Sequence, residues 1–332
     1  MQFDRIRRRE FITLLSGTAA TWPLAARAQQ PGLPVIEFIR DGTADASARY
    51  VTAFREGLSE VGVVEGQNVT VEYHWLEGHY DRLPALMADL VRRQVAVMVT
   101  VGNLPTLAAK TATATIPIVF GVGEDPIRLG LVASYARPGS NATGINFFIQ
   151  ETTSKRLRLL HELVPNAVRV AVLLNPANAS VTETVLQIVQ EAAPTIGLQI
   201  QILNATTIGE IDVAFATIEL ERPDALFVAG DAFFVSRAVQ FATLTARSRI
   251  PATYSLRDYV AVGGLMSYGT DFTEAFRQVG VYAGKILKGA KPADLPVTQS
   301  TKFEFVINLQ TARSLGIKVP PGVLSIADEV IE

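Results

Sequence analysis

Cysteine is absent from the 332 residues. This excludes a disulfide framework, thiolate chemistry and a lipobox cysteine, so the fold must be held by its apolar core, which this length allows. Histidine is scarce, with only His74, His79 and His161. The first two lie near Glu77 and Asp81, but no close pair has the i, i+4 spacing of a helical zinc motif, and no metal is expected. No G-x-S-x-G occurs, which removes the nucleophile elbow. No G-x-G-x-x-G follows the first strand pattern and no G-x-x-x-x-G-K-S/T is present. Hydride transfer and nucleotide hydrolysis therefore lack a phosphate cradle, and no cofactor is expected. No internal run reaches the ~18–20 apolar residues that span a bilayer. An excess of basic charge is also missing, with 30 Lys and Arg against 32 Asp and Glu. Such a chain has no electrostatic footprint for nucleic acid.

What is present begins with a basic start, Arg5, Arg7, Arg8 and Arg9, then an uncharged, mildly apolar stretch over residues 11–26. Ala26-Arg27-Ala28 offers small residues at both positions a signal peptidase reads, which predicts cleavage before Gln29. Arg8-Arg9-Glu10-Phe11 resembles the twin-arginine export motif, although Arg7 and Thr13 depart from it. The weak apolar core and Arg27 favour that route over general export. A short anchor or an unstructured tail is the competing reading. Without residues 1–28 the chain keeps 25 basic and 30 acidic residues, a net charge of −5.

The remainder is 48% hydrophobic over the whole chain and only 19% charged, which excludes a disordered chain. Residues 96–101 carry three valines in six positions, five of them apolar. Such a run reads as a parallel strand covered on both faces. Similar strands are expected at 35–39, 68–75, 116–120 and 141–148, with helices at 47–61, 83–91, 106–112 and 129–135. The alternation then restarts. Strands are expected at 170–174, 198–203, 225–228, 251–255, 264–269 and 302–308. Helices are expected at 155–163, from Ser180 (a capping box with Glu183), from Thr207 (with Glu210), at 236–247 and at 276–287. This is an α/β chain of two lobes with parallel sheets and a cleft between them.

Turns at the carboxyl ends of parallel strands are where open α/β sheets bind ligands. Asp41 and Thr43 follow the first strand, and Gly102, Asn103 and Leu104 follow the third. Gly121, Glu124 and Asp125 follow the fourth. Each glycine also serves a tight turn, and Asp125 with Pro126 reads equally as a helix cap. Asn175, Asn178 and Asp231 close strands of the second lobe. Asp231 suits a ligand ammonium group or a helix cap, and the two asparagines suit polar ligand edges or turns. Phe147, Phe233, Tyr254 and Tyr268 either flank a planar ligand or belong to the core.

The tail carries Gly-Gly-Leu-Met-Ser-Tyr-Gly at 263–269, Gly-Val-Tyr-Ala-Gly-Lys-Ile-Leu-Lys-Gly at 280–289, Pro-Ala-Asp-Leu-Pro-Val at 292–297, Lys-Phe-Glu-Phe-Val-Ile-Asn-Leu at 302–309 and Ala-Asp-Glu-Val-Ile at 327–331. With these motifs the chain resembles the substrate-binding proteins of ABC importers in the tryptophan/tyrosine-type group. Asn103 stands where that family usually has a small or hydroxyl residue, while Asp125 and Asp231 match its acidic positions. The resemblance implies a type I periplasmic-binding-protein fold of two Rossmann-like lobes joined by a three-stranded hinge. Lobe one would be 34–149 plus 264–291 and lobe two 150–263 plus 292–332, with crossings near 149–151, 260–263 and 290–297. It implies a periplasmic, monomeric, non-catalytic receptor that binds a small organic ligand, an amino acid or an aromatic or amide-bearing acid, between the two lobes and docks on an inner-membrane ABC permease. A sensory ligand-binding protein for a membrane receptor and an exported enzyme are the alternatives.

Overall fold

The computed structural model describes residues 32–332, and the expected export signal at 1–28 lies outside them. The chain opens with β1 (Val35–Arg40), α1 (Ala44–Glu60), β2 (Thr70–Trp75), α2 (Leu83–Arg93), β3 (Val97–Val101), α3 (Asn103–Ala112), β4 (Ile118–Val122) and β5 (Ala142–Asn146). It continues with α4 (Ile149–Leu163), β6 (Arg169–Leu174), α5 (Ala179–Ala192), β7 (Gln199–Asn204), α6 (Ile208–Glu221) and β8 (Ala225–Val228). Then come α7 (Ala232–Val235), α8 (Ala238–Ser248), β9 (Ala252–Tyr254), α9 (Arg257–Ala261) and β10 (Met266–Thr270). The last part holds α10 (Phe272–Leu287), β11 (Thr298–Gln299), β12 (Phe303–Asn308), α11 (Leu309–Ser314), α12 (Pro321–Leu324) and β13 (Glu329–Ile331).

The strands form two sheets, ordered β11-β5-β4-β3-β1-β2 and β13-β12-β10-β9-β8-β6-β7. Pairing is parallel throughout except between β10 and β12. Every residue of β3, β4 and β5 is buried. The reason is two-sided cover: Val97, Val99 and Val101 pack into one core, while Met98 packs into the core on the opposite face. A continuous apolar run is what such a strand needs. Helix α10 lies directly on α1. A Cβ on Gly57 would sit 1.9 Å from the Arg277 carbonyl oxygen, and one on Gly280 would sit 2.1 Å from that of Phe54. Glycine at both positions lets the two helix backbones touch.

The crossings between the sheets differ from expectation. The first falls at 147–148, where Phe148 adopts a left-handed φ of 55° as β5 gives way to α4, rather than at 149–151. Strand β10 pairs with β9 and β12, so residues 264–270 belong with the second sheet, not the first. The second crossing is therefore at Asp271, between β10 and α10, not at 260–263. Strand β11 pairs with β5, so the chain stays with the first sheet beyond 292 and returns at 300–302 rather than at 290–297. The three crossings are bonded to one another. The Thr270 hydroxyl donates to the Phe147 carbonyl. The Asp271 N–H donates to the Lys302 carbonyl at 3.0 Å, and the Lys302 ammonium lies 2.7 Å from the Asp271 carboxylate.

Two helix starts also moved. Residues 126–130 form turns instead of a helix over 129–135, and Gly130 takes a positive φ there. Helix α5 is preceded by Asn178 as its cap residue, so Ser180 lies inside the helix and makes no capping box with Glu183. The Thr207–Glu210 cap forms as expected: the Thr207 hydroxyl accepts from the Glu210 N–H at 3.3 Å.

Candidate functional site

Within each sheet the parallel strands end on one side, and residues at or just after the ends of β1, β3, β4, β8 and β9 line one space between the two sheets. A cavity lies there. Arg40, Gly102, Asn103, Gly123 and Phe147 line it from the first sheet, and Asn178, Asp231, Ser255, Leu256 and Thr270 from the second. About 120 Å³ is open to water centres, several times the ~10–15 Å³ that one water requires.

Asp231 is its dominant acid. It follows β8 and is 6% exposed. Oδ1 accepts from Asn175 Nδ2 at 2.9 Å and from the Phe233 N–H at 3.0 Å, while Oδ2 accepts from Asn178 Nδ2 at 3.1 Å. Burial pushes the carboxyl pKa up, the two asparagines oppose that, and the Asp41 charge across the gap adds to it. Asp41 itself accepts from the N–H groups of Gly42 and Gly78, at 2.9 and 2.7 Å, and from the Tyr80 hydroxyl. Burial together with Asp41 and Asp231 raises the Tyr80 pKa. The Asp231 carboxylate thus lines the cavity with a second negative charge near enough to be felt, and a cation beside it relieves both influences.

Asn103 opens α3, behind Gly102, whose φ of 115° only glycine adopts without strain. Its Nδ2 donates to Ser180 Oγ at 3.0 Å, across the gap, while its Oδ1 accepts from the Gly123 N–H at 3.3 Å. The remaining wall is apolar: Val101, Phe147 and Phe272 on one side, Val181, Val235 and Leu256 on the other. The Phe147 and Phe272 rings are 4.7 Å apart. Gly121 makes room for them, since a Cβ there would lie 2.4 Å from Phe147 Cζ.

Of the residues singled out in the sequence, Gly102, Asn103, Phe147, Asn178 and Asp231 line the cavity. The others stand behind or away from it. Asn175 holds the lining residue Asp231 through the hydrogen bond above, while Asp41 ties the turn after β1 to Gly78 and Tyr80. Thr43 caps α1, accepting from the Ala46 N–H at 3.3 Å. Leu104 and Gly121 pack inside the first lobe. Glu124 is buried beside Arg128, at 3.9 Å. Asp125 closes a turn by accepting from the Ile127 N–H at 2.8 Å. Phe233 and Tyr254 are core residues, the latter stacked on Tyr259 at 4.4 Å. Tyr268 packs against Phe303 and Phe305 in the second lobe.

The sequence reading missed Arg40, the last residue of β1. It is 4% exposed and lines the cavity, with its guanidinium 4.8 and 5.0 Å from the Tyr50 and Phe276 ring centres. A charge closing a strand that otherwise reads as apolar was the signal available. His74 does not join His79: its Nε2 lies 2.6 Å from Glu37 Oε2. Glu37, Glu72 and His74 are close enough to share an ion, but Arg93 pairs with both carboxylates, at 2.9 and 2.8 Å.

Comparison with known proteins gives a consistent answer. Residues 34–331 match the family model for the ABC transporter substrate binding protein. A tyrosine-binding protein of Clostridioides difficile is 23% identical over 265 residues, covering 80% of this chain and 76% of that one. The structure is similar to that of an ABC domain in complex with L-Trp from Streptococcus pneumoniae, at a TM-score of 0.80 and 25% identity, covering 90% of this chain and all of that one. It is equally similar, at 0.80 and 25%, to a conserved domain protein from Vibrio cholerae, covering 90% and 99%. These are type I periplasmic-binding-protein-like structures. Among the described residues no helix is long and apolar enough to cross a membrane.

Proposed function

The chain belongs to the family of ABC transporter substrate-binding proteins, and from that premise we propose that it is the extracytoplasmic receptor of an importer. In this reading it closes on an amine-bearing ligand with an apolar or aromatic body, releases it unchanged and docks on an ABC permease in the inner membrane. The observation that carries the ligand class is the cavity itself: the buried carboxylate of Asp231 at one part, a wall of phenylalanine, valine and leucine at another. Asp231, steered by Asn175 and Asn178, would receive the ammonium group, and Phe147 with Phe272 would receive the apolar body. The ligands named for the similar proteins, tyrosine and L-Trp, have that chemistry. A ligand that touches both sheets biases the molecule toward closure, which is what a transport receptor requires.

The test is a thermal-shift and calorimetric screen of the chain from Gln29 against amino acids, aromatic acids, nucleosides, sugars and polyamines. A ligand at 100 times its dissociation constant stabilises by ~2.7 kcal/mol, a shift of several degrees. Aromatic or aliphatic amino acids should raise the midpoint and be recovered unchanged. A response confined to sugars or nucleosides, or chemical conversion of the hit, would sink the reading.

A further inference from the structure

Arg40 has no obvious occupation inside this chain. Its Nη1 is buried with no hydrogen-bond partner, and among the described residues no carboxylate lies within ion-pair distance of it. Asp41 and Asp258 are near enough to be felt but not to bond. Burial is the largest influence on the group and works against its charge. A buried cation without a counter-ion is expensive, and one that lines a cavity, as Arg40 does, recovers that cost from an anion bound there. The surroundings fix its attitude. Tyr50 on α1 and Phe276 on α10 both lie about 5 Å from the guanidinium carbon, and contacts of this kind hold a planar group by its faces and leave its N–H edges free. Tyr50 is itself anchored, because its hydroxyl donates to Asp258 on α9, which packs with the second sheet.

We infer that Arg40 is the receptor for a carboxylate of the ligand, held with its N–H edge toward the cavity by Tyr50 and Phe276. Arg40 is donated by the first sheet and Asp231 by the second, so an α-amino acid bound to both spans the gap with its two charged groups. The same ring that steadies Arg40 is tied to Asp258 on the opposite side, so the carboxylate is gripped where the sheets already meet. The inference rests on the amino-acid reading for the identity of the ligand, but not for the anion-binding character of the residue.

The experiment compares L-tryptophan and L-tyrosine with tryptamine and tyramine, which lack only the carboxylate, on the chain from Gln29. Wild type should prefer each amino acid over its amine by at least tenfold, the worth of a charge-assisted fork. Arg40→Gln should abolish that preference by weakening the amino acid, with amine affinity kept within about threefold. Arg40→Lys, which keeps the charge but not the fork, should fall between. The unfolding midpoint of Arg40→Gln without ligand should match or exceed wild type, since an unpaired buried charge has been removed. An Arg40→Gln variant that folds and keeps the full preference overturns the inference and leaves the amino-acid reading standing. If wild type binds neither amino acid, that reading falls, and 4-hydroxyphenylacetate and indole-3-acetate become the probes. Binding that Arg40→Gln destroys then upholds the carboxylate receptor, and no binding overturns it.

Discussion

Asp231 is buried at a cost to the stability of the empty protein. Its pKa is raised chiefly by burial, so the folded state holds a proton more tightly than the unfolded one. Stability from this group is fully present below its unfolded pKa and is lost as pH rises through the folded value. Asp231→Asn removes that loss. The amide keeps an oxygen for Asn175 and the Phe233 N–H, and its new N–H group can meet Asn178 Oδ1, which has no partner now, once that side chain turns. We expect the variant to melt at or above the wild-type midpoint at pH 7, with the gap widening from pH 4 upward, while affinity for an amino acid drops at least tenfold. Melting curves across that range, paired with titrations, decide it. A lower midpoint with unchanged affinity would reduce Asp231 to a helix cap. Arg156 makes the matching case in the second lobe. It is 2% exposed and its guanidinium sits 4.0 Å from the Phe227 ring centre. Burial pulls its pKa down to about 9, and among the described residues no carboxylate pairs with it. Arg156→Met should raise the midpoint by a few degrees, about 1–2 kcal/mol, because the desolvation penalty disappears and the volume is retained. A fall in the midpoint would mean that the ring contact outweighs the penalty. Arg156 was not legible in the sequence, since an isolated cation looks the same whether it is solvated or buried without a partner, whereas the place of Arg40 at the end of an apolar strand was a signal.

At the level of elements, the strands were the most legible part of the chain and the crossings the least. A run such as that of β3 has to be covered on both faces, so its residues announce a central parallel strand whatever follows. Nothing in Met266–Thr270 says which sheet it joins, because that is decided by pairing with β9 and with the more distant β12. Two-residue β11 carries no periodicity at all. Likewise, turn residues such as Gly102 and Asn103 were recognisable as site material because they follow a buried strand, whereas Tyr254 and Phe233 had the right chemistry on the wrong side of the sheet. The α1–α10 contact gives a prediction at this scale. A Cβ on Gly280 would lie 2.1 Å from the Phe54 carbonyl oxygen, and backbone cannot swing away as a side chain would. Gly280→Ala should cost roughly 3 kcal/mol and lower the midpoint by on the order of 6–10 °C. Gly209→Ala is the control, because nothing lies within 4 Å of its would-be Cβ. It should leave the midpoint unchanged or slightly raised, because alanine reduces the entropy of the unfolded chain, and equal losses from both would remove the close helix contact as the cause.

Across the whole molecule, few polar bonds join the two sheets directly in front of the cavity, which makes each of them measurable. Asn103 Nδ2 donates to Ser180 Oγ at 3.0 Å, and Arg128 Nη2 donates to Thr184 Oγ1 at 3.3 Å. Both acceptors lie on α5. Asn103 retains its own anchor on the Gly123 N–H when Ser180 is lost. Ser180→Ala therefore removes one bond between α3 and α5 without disturbing the turn that presents Asn103. A single neutral hydrogen bond is worth about 0.5–1.5 kcal/mol net, which at 1.4 kcal/mol per tenfold is roughly a two- to tenfold change. If the bond forms as the sheets close over a ligand already bound, that change falls on the off-rate, since docking precedes it. The chain from Gln29 carries Trp75 as its one tryptophan, so stopped-flow fluorescence with L-tyrosine reads both rates. Ser180→Ala should speed release two- to tenfold, leave association within twofold of wild type and leave the ligand-free midpoint where it was. Slower association with unchanged release would instead place the bond in the open protein, as part of what the ligand first meets.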